Sequence, residues 1–191
     1  MNQPNLHAPD WSKIPAPVDD GGAAHLKGVT IPPVSLKATD DTMVTLSALK
    51  GRTVVFAYPR TGEPGKIALV DDWDMIPGAR GCTPQTCAFR DLFAELKAAG
   101  AAHVFGLSTQ SNEYQTEMAS RLHLPFPVLS DEKLEMTRAL RLPVMEVAGL
   151  TLIKRLALII DDARISHVFY PVFPPDRNAG DVLAWLQKHR A

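Results

Sequence analysis

The chain has 191 residues, a hydrophobic fraction of 46% and a formal net charge of -1, which is typical of one globular domain and excludes a disordered chain. The balance of 20 basic and 21 acidic residues gives no electrostatic reason to expect nucleic acid or an anionic membrane as a partner. No apolar run approaches the roughly 18 residues of a membrane span, and the polar N-terminus lacks a signal peptide's features, so we expect a cytoplasmic protein.

The first elements of the chain are a tail and a hairpin. Residues 1–24 are rich in Pro, Asp and Gly without apolar periodicity, which predicts an extended tail that wraps around the protein or hangs free. Residues 25–191 are expected to form one domain. Apolar residues alternate at 34–36 and 44–46 on either side of two aspartates, which predicts a β-hairpin at the start of this domain.

The rest of the chain alternates β-prone and helical segments. The apolar run at 53–58 predicts a buried strand that Pro59 ends, followed by a long irregular loop. In order, we then predict a helix from residue 83 that Gly100 ends, a strand at 102–107, a helix at 112–122, a strand at 126–129, a helix at 131–140, strands at 156–160 and 165–170, and a last helix after Asn178. This order predicts an α/β sandwich, a mixed sheet with helices on both faces.

The two cysteines, Cys82 and Cys87, are too few for a disulfide-stapled fold or an all-cysteine zinc site. Pro84 is tolerated only in a first helical turn, which places Cys82 at the start of the helix, where unpaired N–H groups favour a thiolate. Cys82 also lies seven residues before Phe89 on the apolar stripe of the helix. A small buried packing residue is therefore an equally good interpretation of the pattern alone.

The spacing of the two cysteines restricts how they can pair. Five residues along an intact helix separate two Cα atoms by about 8–9 Å, whereas a disulfide needs less than about 7 Å. A disulfide between them would therefore require the first turns of the helix to unwind.

Other chemistry has little support in the sequence. The six histidines lack a His-x-x-x-His spacing, and the aspartates at 71, 72 and 74 are typical of an exposed loop, so no metal site is predicted. No glycine-rich nucleotide loop is present. We expect no metal or organic cofactor.

Several segments, taken together and in order, match one known family. They are Leu49-Lys50-Gly51, Val54 to Pro59, Gly81-Cys82-Thr83 with Cys87 and Phe89-Arg90-Asp91, Phe105 to Ser108, Pro127 to Asp131, and Arg155 with the strand ending at Asp161. Over residues 26–190 the chain resembles the peroxiredoxins, in particular the peroxiredoxin Q or bacterioferritin-comigratory branch. The resemblance implies a thioredoxin-like fold and the reduction of hydrogen peroxide or organic hydroperoxides.

The resemblance also implies residue roles and partners. Cys82 matches the peroxidatic cysteine and Cys87 the resolving cysteine, which implies an intramolecular disulfide that a thioredoxin or glutaredoxin-type dithiol reduces. Arg155 matches the active-site arginine, and a guanidinium stays charged and favours a thiolate. A surface arginine at a strand edge is the alternative, since Lys154 and Arg164 are also basic. The protein is expected to be a monomer or a homodimer.

The family motif Pro-x-x-x-Thr-x-x-Cys is interrupted in this chain. Met75 and Ala79 occupy the positions seven and three residues before the first cysteine. Pro59 and Thr61 carry the start of the motif instead, and an inserted segment of about sixteen residues, from Lys66 to Gly81, precedes the cysteine. We expect Pro59 to stay at the end of its strand and Thr61 to fold back toward the thiol, while the other nearby hydroxyl, on Thr83, is interpreted as a helix cap.

Two other functions remain open from the sequence. One is a thiol–disulfide oxidoreductase that lacks peroxidase activity, which the interrupted motif permits. The other is a non-enzymatic redox sensor whose helix unfolds on oxidation and exposes a surface for a partner. Catalytic turnover of peroxide separates the peroxidase from both.

Overall fold

The structure is a computed structural model that describes residues 9–189. The first eight residues of the predicted tail and the last two residues of the predicted domain lie outside this range. Within residues 9–189, none of the helices has the length and apolar character needed to cross a membrane.

Strands and helices alternate along the described chain. They are β1 (Ser35–Ala38), β2 (Met43–Thr45), β3 (Arg52–Ala57), α1 (Cys82–Asp91), α2 (Phe93–Ala98), β4 (His103–Ser108), α3 (Asn112–Arg121), β5 (Val128–Ser130), α4 (Glu135–Leu140), β6 (Val144–Val147), β7 (Leu150–Ile153), β8 (Leu156–Asp161), β9 (Arg164–Phe169) and α5 (Asn178–Lys188). Seven strands form one sheet in the order β2-β1-β5-β4-β3-β8-β9. Strand β3 pairs parallel with β4 and antiparallel with β8, so the sheet is mixed, as predicted.

Both faces of the sheet are covered. Side chains of β3 alternate between two cores: Val54 and Phe56 lie in one, and Val55 and Ala57 lie in the other. Apolar residues of α1, α2, α3 and α5 join the first core, and those of α4 join the second. The alternation follows from the two-residue repeat of a strand, and it confirms the predicted α/β sandwich.

The predicted N-terminal hairpin is present as β1 and β2, which pair antiparallel with Ser35 opposite Thr45. The Asp40 carboxylate accepts hydrogen bonds from the backbone N–H and the hydroxyl of Thr42, at 3.1 and 2.6 Å. An aspartate that bonds its own backbone two residues on stabilises a tight turn, which explains the position of the hairpin.

Two predicted helices have different bounds in the structure. The helix expected from residue 83 to Gly100 is two helices, because Leu92, with a φ of -98° and a ψ of 10°, departs from helical geometry between α1 and α2. The helix expected at 131–140 begins only at Glu135. The Asp131 carboxylate accepts from the backbone N–H groups of Met136 and Thr137, and so caps the helix from outside it.

The hairpin of β6 and β7 was not predicted from the sequence. These two strands form a separate two-stranded sheet, joined by Ala148 and Gly149 with φ of 50° and 77°. The strand β7 ends two residues before Arg155. The hairpin thereby brings Arg155 to the start of β8, next to the central strand of the sheet.

The described part of the tail packs along the domain. It contains a short 3-10 helix at Trp11–Lys13. Asp20 binds the Lys154 ammonium at 2.5 Å and accepts a hydrogen bond from the Tyr170 hydroxyl at 2.6 Å. Ala23 is 5% exposed and belongs to the core, so packing begins shortly before residue 25.

Candidate active site

Cys82 is the first residue of α1 and is 3% exposed. It follows Gly81, whose φ of 106° lies in the left-handed region that glycine adopts without strain. A Cβ atom on Gly81 would lie 2.5 Å from Cγ of Pro175, so a larger residue does not fit there. The first N–H groups of a helix have no helical acceptor, and a negative charge on Cys82 is therefore stabilised at this position.

The sulfur of Cys82 contacts a charged donor. Nη2 of Arg155 donates to Cys82 Sγ at 3.2 Å, and the thiol lies 3.5 Å from the carbonyl oxygen of Ala79. A cysteine that served only for packing would be surrounded by apolar groups. A guanidinium at this distance instead favours the charged thiolate.

Arg155 is held in place by the backbone. It is 2% exposed, which excludes the alternative of a surface arginine. Its Nη2 also lies within hydrogen-bond distance of the carbonyl oxygens of Gly78, Ala79 and Arg80, at 3.2, 3.1 and 3.0 Å. The end of the inserted segment therefore fixes the guanidinium beside the sulfur. The guanidinium and these carbonyl oxygens serve one another in place of the water that each loses on burial.

Gln85 and Asn178 complete the support of Arg155 and were missed in the sequence. Gln85 Oε1 accepts from Nη1 of Arg155 at 2.5 Å, and its Nε2 donates to Asn178 Oδ1 at 2.9 Å. Both side chains are buried. The available signal was the spacing: a residue three positions after Cys82 lies on the same face of the helix.

Thr61 is hydrogen-bonded to Gln110 and lies in the wall of a cavity that Cys82 also lines. Its backbone N–H and its hydroxyl donate to Gln110 Oε1 at 2.9 and 3.1 Å, and Gln110 Nε2 donates back to the Thr61 carbonyl at 3.2 Å. The hydroxyl is thus engaged with Gln110 rather than with Cys82, although both residues line the same cavity. Gln110 was not singled out from the sequence.

Pro59 is buried directly after β3, next to Tyr58. The Tyr58 hydroxyl donates to Gln115 Oε1 at 3.0 Å. Burial raises the pKa of this hydroxyl. Thr83 lies in the wall of the cavity, immediately after Cys82. The N-cap of α1 is Gly81 and Thr83 lies inside the helix, so the interpretation of Thr83 as a cap is wrong.

A cavity of about 620 Å³ joins the two cysteines to the solvent. Thr61, Cys82 and Cys87 line it, and the inserted segment contributes Trp73 and Asp74. Cys87 is half-buried, and burial raises the pKa of its thiol. Both thiols are free and lie on one unbroken helix. The structure therefore presents the reduced state, in which helical geometry keeps the pair about 8–9 Å apart between Cα atoms.

The arrangement suits thiol chemistry. In the part of the chain that the structure describes, no three His, Cys, Asp or Glu residues are grouped closely enough to hold a metal ion. The chemical groups at hand are a buried sulfur at a helix N-terminus, a fixed guanidinium and a second thiol on the cavity wall.

Comparisons with known proteins agree with this site. The redoxin family matches residues 26–183. The chain is 32% identical to the chloroplastic peroxiredoxin Q of Sedum lineare over 185 residues, covering 95% of this chain and 89% of that protein. It is 32% identical to peroxiredoxin Bcp of Escherichia coli over 167 residues, covering 85% of this chain and 96% of the relative.

A solved structure supports the same assignment. Peroxidoxin BcpB from Mycobacterium tuberculosis superimposes with a TM-score of 0.69 at 27% identity, over 86% of this chain and 98% of that chain. The fold is therefore thioredoxin-like, as the resemblance implied. Since the redoxin match spans most of the chain and the relatives agree along nearly their whole length, this protein is a member of the peroxiredoxin family, in its peroxiredoxin Q and Bcp branch.

Proposed function

We propose that this thiol-dependent peroxidase reduces hydrogen peroxide or organic hydroperoxides with Cys82 as the nucleophile and Arg155 as the group that stabilises charge. The observation that carries the proposal is the 3.2 Å contact between Arg155 Nη2 and Cys82 Sγ at the start of α1, on the wall of a solvent-connected cavity. A thiolate is the nucleophilic form of cysteine, and both the helix terminus and the guanidinium favour it.

The first step is a displacement on the peroxide. The Cys82 thiolate attacks one oxygen of the O–O bond, an S–O bond forms, and the O–O bond breaks. The departing oxygen takes a proton and leaves as water or an alcohol, and Cys82 becomes a sulfenic acid. Arg155 donates hydrogen bonds while negative charge moves from sulfur to the departing oxygen, which lowers the barrier because these donors are already in place.

The second step is resolution by Cys87. Its sulfur attacks the sulfenic sulfur of Cys82, an S–S bond forms, and the hydroxyl leaves as water. An external dithiol of the thioredoxin or glutaredoxin type then reduces the disulfide. The half-buried Cys87 on the same cavity wall supports its role as the resolving thiol.

The test uses the two single-cysteine variants. Cys82→Ser is expected to abolish peroxide consumption, because the remaining thiol lacks the contact with Arg155. Cys87→Ser is expected to give one fast oxidation per chain, which stops at the sulfenic acid. Stopped-flow mixing with hydrogen peroxide and intact-mass analysis read both outcomes. An active Cys82→Ser and an inactive Cys87→Ser would reverse the roles.

The expectations about catalytic turnover, location, oligomeric state, partners and cofactors are also predictions. Continuous peroxide consumption with an excess of dithiol would separate a peroxidase from a sensor that is oxidised once per signal and from a thiol–disulfide oxidoreductase. The absence of nucleic acid as a partner is expected from the balanced charge, and the cytoplasmic location and the absence of a cofactor from the motifs that the sequence lacks. A monomeric or homodimeric state is likewise an expectation.

A further inference from the structure

Trp11 of the N-terminal segment lies against the start of the cysteine helix. A Cβ atom placed on Gly81 would be 2.8 Å from the Cη2 atom of Trp11, so the indole packs against the backbone that precedes Cys82. Farther along the segment, Pro17 would lie 3.5 Å from a Cβ atom placed on Gly78, one of the residues whose carbonyls lie beside Arg155. The N-terminal segment therefore covers the loop that positions the reactive sulfur.

The indole is also bound to the segment that precedes the last helix. Its Nε1 donates to Asp176 Oδ2 at 3.0 Å, and its ring packs edge-to-face on Phe173 with centroids 6.0 Å apart. Asp176 belongs to the 3-10 turn Pro175–Arg177, which leads into α5. Trp11 thus connects Gly81 to the turn that leads into α5.

The resolution step requires this region to move. Cys82 and Cys87 cannot form a disulfide while α1 is intact, because their Cα atoms are about 8–9 Å apart in a helix. Unwinding must break the hydrogen bond from the Thr86 hydroxyl to the Cys82 carbonyl, at 2.9 Å. We expect it also to displace the backbone of Gly81, against which Trp11 packs. Each contact that holds the folded turn slows resolution, since it is lost before the disulfide forms.

We propose that Trp11 is a positioning residue that sets the rate of the resolution step by holding the first turn of α1 in the helical state. The proposal rests on the proposed function, in which Cys87 resolves the Cys82 sulfenic acid. Trp11 has no role in the attack on peroxide, because its hydrogen bond goes to Asp176 and it makes none with Cys82 or Arg155.

The proposal has a consequence for the fate of the sulfenic acid. While the turn stays helical, a second peroxide competes with Cys87: the sulfenic sulfur attacks it, one peroxide oxygen is transferred, the other leaves as water or an alcohol, and Cys82 becomes a sulfinic acid. The ratio of disulfide to sulfinic acid therefore reports how easily the turn opens. Trp11 is expected to shift this ratio toward the sulfinic acid.

The experiment compares Trp11→Ala, Trp11→Phe and the unmodified chain. The alanine variant loses a hydrogen bond and an aromatic contact, which together correspond to about tenfold in a rate. Stopped-flow mixing of reduced protein with hydrogen peroxide should show an unchanged oxidation phase and a disulfide phase about tenfold faster in Trp11→Ala. Trp11→Phe keeps ring packing without the hydrogen bond and should be intermediate. At high peroxide, intact-mass analysis should show correspondingly less sulfinic acid in Trp11→Ala.

Three results would contradict the proposal in ways that can be told apart. An unchanged disulfide rate and an unchanged sulfinic acid yield in Trp11→Ala would overturn the role of Trp11 and leave the peroxidase assignment intact. If the unmodified chain formed no Cys82–Cys87 disulfide at all, the proposed resolution mechanism would fail first. A slower oxidation phase in Trp11→Ala would also contradict the proposal, because it would place Trp11 in the peroxide step.

Discussion

Replacement of Arg155 by methionine tests the centre of the site. The substitution keeps an unbranched, buried side chain and removes the donor that lies 3.2 Å from Cys82 Sγ. A hydrogen bond to a charged group contributes about 1.5–3 kcal/mol, which corresponds to a reduction of about 10- to 100-fold in the rate constant for peroxide. The methionine also leaves the carbonyls of Gly78, Ala79 and Arg80 without this donor, so we expect a lower free energy of unfolding as well.

The assay must separate these two effects. Urea unfolding first establishes conditions in which Arg155→Met is fully folded, and stopped-flow mixing with hydrogen peroxide then gives the second-order rate constant. Arg164→Met is the matched control, because Arg164 is an exposed arginine on β9 and its loss removes the same charge far from the sulfur. A folded Arg155→Met protein that reacted as fast as this control would refute the reasoning.

Three further outcomes are expected. Gln85→Met frees the Arg155 guanidinium on one side and should slow the peroxide step by about tenfold, the value of one hydrogen bond of ~1.4 kcal/mol, in the same stopped-flow assay. Gly81→Ala forces a Cβ against Pro175 and should lower the free energy of unfolding by about 1–3 kcal/mol, as urea titration would show. Burial lowers the pKa of His167. As the pH falls, His167 is therefore protonated in the unfolded chain before it is protonated in the folded protein. Stability is then lost as the pH falls through about 6.5, and His167→Gln should remove that part of the loss.

The central sheet could be predicted because its residues leave few alternatives. A run such as the one at 53–58, β-prone throughout and ended by Pro59, is typical of a strand covered on both faces. The hairpin of β6 and β7 was missed because its strands are four residues each and carry a mixture of polar and apolar side chains. The start of α4 was misplaced because Leu134 has a φ of 59°, a conformation that leucine seldom adopts.

The residues of the site also divide into those that could be predicted from the sequence and those that could not. Cys82 could be placed at a helix terminus from Pro84, since proline fits only the first turn. Gln85 and Asn178 could not be identified as a pair, because their hydrogen bond joins residues 93 positions apart and depends on how α5 packs on α1. The sequence could predict that Thr61 lies near the thiol, but the bond between Thr61 and Gln110 depends on how the loop after β4 meets the loop after β3.

The inserted segment is tied at both ends, and this has a consequence for recognising related chains. Thr61 is bound by Gln110 before the segment, and the carbonyls of Gly78 to Arg80, at the end of the segment, lie beside Arg155. The chain between these two anchors can change length without displacing the thiol, since each doubling of a flexible loop costs only about 0.6 kcal/mol. A search that requires a fixed interval between the threonine and the cysteine would therefore overlook functional members of the family, whereas one that scores the two anchors separately would retain them.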